Sequence, residues 1–118
     1  MATMVLEEDI ADRALEAIGV KAFSQDAGSD ERDRAAEMAL MVYHRLIGLN
    51  LAPFETDDVP EWAQGPVIAL VAAECIVPFG VPAERSQVVL ALAATAIPRL
   101  TEQVAINIPK VRIRPRFY

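Results

Sequence analysis

The residues that do chemistry in most proteins are scarce in this chain. His44 is the sole histidine and Cys75 the sole cysteine. No His–His acid–base pair and no Cys-rich zinc site can be assembled within one copy. Ser24, Ser29 or Cys75 beside His44 would need an orienting acid and an oxyanion hole, and no nucleophile-elbow spacing is present. His44, between Tyr43 and Arg45, reads as a partly exposed helical residue, and Cys75, in the most apolar stretch, as an inert small hydrophobe. The adjacent carboxylates Glu7–Glu8 and Asp57–Asp58 lack an EF-hand loop, and no GxxxxGK[ST] phosphate loop occurs. Helix capping and a solvated face account for them more simply. Neither catalysis nor a cofactor is expected.

One segment does carry a chemical pattern. In NIPKVRIRPRFY, Val111, Ile113, Pro115 and Phe117 alternate with Lys110, Arg112, Arg114, Arg116 and Tyr118. Period-two alternation describes an extended segment with one apolar and one basic edge. Pro109 and Pro115 forbid a helix there and disfavour a central strand. Such an arm suits docking along a sheet edge or into a groove of a partner, where main-chain hydrogen bonds hold it and alternate side chains select it. Its arginines would equally suit phosphate, but the rest of the chain is acidic.

The elements behind that arm form a single domain. The chain has 118 residues, 53% hydrophobic and 24% charged, enough to bury one core and too apolar for a disordered segment. The net charge of −6 is unevenly spread. Residues 1–61 hold 14 acids and 5 bases, residues 62–109 hold 3 and 2, and residues 110–118 hold 4 bases and no acid. That division points to separate surfaces with separate partners and excludes a protein that grips DNA over its whole surface. A lone cysteine and an acidic start, Glu7, Glu8 and Asp9, fit a reducing cytoplasm without a secretory leader.

Four helices are predicted. The first spans residues 5–18, burying Leu6, Ile10, Ala14, Ala17 and Ile18 and stopping at Gly19. After a loop at 20–28, the second runs from Ser29 to about Leu49 with Ala36, Ala39, Leu40, Tyr43, Leu46 and Ile47 as its buried stripe. After a loop at 50–59, the third runs from Pro60 to Phe79, with Asp57 and Asp58 capping its start. It is apolar on nearly every side after Gly65, and Gly80 and Pro82 end it. The fourth covers residues 83–104, with Val88, Val89, Leu92, Ala96 and Leu100 inward and a bend at Pro98. Glu74 and Pro78 in the third helix, and Arg85, Gln87, Pro98 and Arg99 in the fourth, argue for core rather than membrane. The expected architecture is all-α: a bundle over residues 1–105 and an extended arm over residues 106–118.

The order of these elements carries a resemblance. A first helix ending in ALEAIGV is followed by a polar loop and a long helix over DERDRAAEMALMVYHRLIGLNL. Next come FETDDVPEWAQGPVIALVAAECIVPFGVP, a final helix and a basic aromatic tail. Together they resemble the head–tail connector (adaptor) proteins of tailed bacteriophages and gene-transfer particles. The likeness covers nearly the whole chain and is strongest from Asp57 to Pro82. It implies a ring, commonly of twelve copies, beneath the portal protein in the particle neck, assembled in the bacterial host cytoplasm. Further neck or tail-completion proteins would lie below, and DNA would pass through the channel without specific binding. The arm that packs against the portal would correspond to Ile108, Lys110, Arg112, Ile113, Arg114, Arg116, Phe117 and Tyr118. No catalytic residue is implied. The competing reading is a cytoplasmic regulatory or nucleic-acid-binding helical module whose basic tail contacts phosphate.

Overall fold

The computed structural model describes residues 3–19 and 29–107. The architecture is an all-α small bundle, as expected. A π turn, Leu6–Ile10, leads into α1, Ala11–Ala17; α2 is Ser29–Gly48, α3 is Glu61–Phe79, α4 is Ala83–Ala94 and α5 is Ala96–Asn107. The expected arm residues Ile108, Lys110, Arg112, Ile113, Arg114, Arg116, Phe117 and Tyr118 lie outside the described residues.

α3 is the axis around which the rest is built. It touches the π turn and all four other helices. Its buried side chains are small or branched: Ala63, Pro66, Val67, Val71, Ala72 and Cys75. They meet Leu6, Ile10, Ala14 and Leu15 of the first helical segment and Ala35, Ala39, Val42 and Leu46 of α2 in one core. Alanines on three facing helices let the backbones approach closely, while leucines and valines fill the space between them. Gly80 ends α3 in the left-handed conformation at φ 60°, and Gly19 follows α1 at φ 82°. Both are backbone states that a residue without Cβ adopts at little cost.

By length and composition, two helical runs could cross a membrane: α3, at mean hydropathy 1.5, and Ala83–Asn107, at 1.3. The buried share of their apolar windows is 39% for α3 and 17% for the second. α3 is the core helix of the bundle. The α4–α5 run keeps much of its apolar surface open.

Five expectations are corrected. The buried stripe of α2 is Ala35, Ala39, Val42 and Leu46, rotated by one residue from the predicted face. Ile47 is 46% exposed, and Ala36, Leu40 and Tyr43 are half-buried at the edge. Asp57 and Asp58 do not cap α3: its N-cap is Pro60, with no side-chain cap, and both aspartates are exposed.

The predicted fourth helix is two helices. Pro98 has no N–H to offer the carbonyl of Ala94, and its ring crowds that carbonyl. The first helix therefore ends at Ala94, and the chain restarts through Thr95, whose Oγ1 donates to the Leu92 carbonyl at 3.0 Å. Of the inward set, Val89, Ala96 and Leu100 are buried, whereas Val88 and Leu92 are 59% and 53% exposed. The last helix also reaches Asn107, so Ile106 and Asn107 are helical where an extended arm was expected to start.

Candidate functional site

Residues of α2, the α2–α3 loop and α3 form an aromatic corner. Tyr43 on α2, Phe54 in the α2–α3 loop and Trp62 in the first turn of α3 stand in a chain. Ring centroids are 6.1 Å apart for Tyr43–Phe54 and 6.0 Å for Phe54–Trp62, the latter edge-on. Both spacings suit the quadrupoles of aromatic rings. The Tyr43 hydroxyl donates to the Phe54 carbonyl at 2.6 Å, fixing the loop to α2. Burial, and secondarily the negative charge of Glu55, push the Tyr43 phenol above its ordinary pKa, so it remains a donor.

The loop is held from its other side by the N-terminal segment. Met4 and Val59 exchange both backbone hydrogen bonds, at 3.1 and 2.9 Å, and the Leu6 N–H reaches the Thr56 carbonyl at 2.7 Å. Gln64 Nε2 adds a bond to the Val59 carbonyl at 3.2 Å. These contacts bury Val59 and set Trp62 half-buried beside Phe54. In front of the corner lies an open groove of about 780 Å³, bordered by Tyr43, Ile47, Phe54 and Trp62, with Glu55 and Asp58 on its rim. Asn107, where the described chain ends, lines it too.

A second feature is the open apolar surface of α4. Val89 points to the core, with Ser86 and Ala93 half-buried along the same line. Val88 and Leu92, one turn apart, are exposed on one side of that line, and Leu90, also 53% exposed, on the other. Val77 at the end of α3 is 87% exposed and Ile106 on α5 is 68% exposed. The pattern of α4 alone predicts an inward Leu92. Only the packing of α3 against a narrow line of α4 reveals that this residue faces outward.

The remaining chemistry-bearing residues are dispersed. His44 is exposed on α2, as its sequence context implies. Cys75 is fully buried on α3, and burial, with the charge of Glu74, raises its thiol pKa to about 11. At neutral pH it is a protonated core side chain. Among the described residues, no three of His, Cys, Asp and Glu gather as a metal would require. Glu7, Glu8 and Asp9 lie exposed on the π turn, where Asp9 accepts the Val5 N–H at 2.9 Å. Asp30, Glu31, Asp33 and Glu37 lie exposed on α2. Arg45 pairs with Glu74 at 3.1 Å, and Arg85 donates to the Ala17 carbonyl at the end of α1.

No family model, curated protein or solved structure matches this chain.

Proposed function

We propose that the chain is a structural adaptor in the neck of a tailed phage or phage-like particle. It works by assembly: copies form a ring between portal and tail, the C-terminal arm docks on the portal, and the DNA channel continues through the ring. The observation that carries the reading is the exposure of Val88, Leu90 and Leu92 along one helix of a bundle whose own core is already closed. Large apolar side chains left open on a folded domain favour burial by another protein. A ring subunit presents such surfaces to both neighbours.

Two further features support it. The reading rests on the sequence segments that resemble head–tail connectors, and an all-α bundle is compatible with it. Exposed carboxylates on the π turn and α2 outnumber the exposed arginines of α2, and a net negative surface disfavours phosphate, which would let a genome slide instead of adhering. The basic arm is the separate, portal-directed surface.

The test removes residues 108–118. The truncated chain is expected to fold as a helical domain and to lose the ability to join DNA-filled heads to tails. Full joining by the truncated chain would refute the arm's role. Steeply salt-dependent DNA binding by the isolated full chain would favour the nucleic-acid-binding alternative instead.

A further inference from the structure

We propose that the groove in front of Tyr43, Phe54 and Trp62 is the resting seat of the chain's own C-terminal segment, residues 108–118, before any partner engages it. The inference is independent of the adaptor reading and concerns the isolated protein.

Position is the first argument. Asn107 lines the groove, and it also lines a neighbouring cleft of about 460 Å³ formed with Pro60, Glu61 and Trp62. The segment that follows therefore starts at the mouth of both. Eleven residues can extend at most about 36 Å, ample for a path across the corner. A tethered segment meets an adjacent site at an effective concentration in the millimolar range, so even weak affinity fills it. A second copy's segment has no such advantage.

Chemistry is the second argument. The groove offers the faces and edges of three aromatic residues and the side chain of Ile47, with Glu55 and Asp58 at its rim and Glu61 in the adjoining cleft. No lysine or arginine is among the described residues lining either. The segment is the complement: Val111, Ile113 and Phe117 on one edge, Lys110, Arg112, Arg114 and Arg116 on the other. Laid extended, it puts its apolar edge on the rings and its cations near the three carboxylates. Four of the chain's 11 basic residues lie in this segment, and residues 1–61, which supply two walls of the groove, are its most acidic part. A partner that takes the segment must then displace it from this seat.

Trp62 is the sole tryptophan of the chain, so its fluorescence reports on the groove directly. The full chain is compared with a chain ending at Asn107. Truncation should red-shift the Trp62 emission and raise its acrylamide quenching roughly twofold as the half-buried indole opens to water. A synthetic peptide of residues 108–118 should reverse both changes. Salt near 1 M, where the Debye length falls to about 3 Å, should move the full chain towards the truncated one. The double variant Glu55→Gln with Asp58→Asn, in the full chain, should do the same, and it keeps the test decisive where the truncated chain folds poorly. Identical emission and quenching in the full and truncated chains would overturn the proposal. So would a full-chain signal that drifts to the truncated value on dilution, which would assign the groove to a second copy's segment.

Discussion

The half of the bundle built from the π turn, α1, α2 and α3 and the half built from α4 and α5 use similar residues to opposite ends. In the first, Leu6, Ile10, Leu15, Leu46, Val67 and Val71 are wholly or almost wholly removed from water. In the second, burial is confined to Val89, Ala96 and Leu100, and Val88, Leu90 and Leu92 stay open. Leucine and valine on a helix therefore do not by themselves mark a core. In one half they hold the chain together; in the other they are available to hold it to something else.

The sharpest way to test that contrast is to truncate equivalent side chains in both halves. Leu46→Ala should cost about 2–5 kcal/mol of unfolding free energy, because a fully buried leucine leaves a cavity. Leu92→Ala in the isolated chain should cost no more than about 0.5 kcal/mol. Urea denaturation of the two variants compares them directly, and equal losses would abolish the distinction.

Cys75 probes the closed half by pH. With its thiol pKa at about 11 in the folded chain, the unfolded chain ionises first as pH rises. Stability contributed by the buried neutral thiol is present below about pH 9 and is lost as pH climbs towards 11. Cys75→Ala should flatten that slope, and thiol labelling at pH 8 should be far slower in the native chain than in denaturant. A smaller effect is expected at the edge of the core. Tyr43→Phe removes the hydrogen bond to the Phe54 carbonyl and should cost about 1 kcal/mol, read by urea unfolding, with a change in Trp62 fluorescence. Smallest is Arg45→Ala: its pair with Glu74 is 46% and 30% exposed, so its removal should shift stability by about 0–1 kcal/mol in the same assay.

Local signals were the most legible. Gly19 and Gly80 stop their helices where the sequence places the stops, and the spans of α2 and α3 follow periodicity and proline placement. The errors share a cause in packing. α2 turns Ala35 and Val42 inward in place of Tyr43 and Ile47, since close helix approach favours small side chains over large ones. Pro98 predicts a bend at its own position, yet its effect falls four residues earlier, on the carbonyl of Ala94. No periodicity encodes the aromatic corner, because Phe54 is tied to Tyr43 by the hydroxyl-to-carbonyl bond from α2 and its loop is held by the long-range Met4–Val59 pairing. The arm's chemistry, by contrast, is written entirely in residues 108–118.

The proposed role as a neck adaptor is tested most directly by a density map of the neck of the assembled particle. The account predicts a ring of copies in which Val88, Leu90 and Leu92 of α4 are covered by neighbours, with residues 108–118 laid against the portal. A neck that lacks this chain, or a ring in which these three side chains remain open to solvent and residues 108–118 touch no portal, would contradict it.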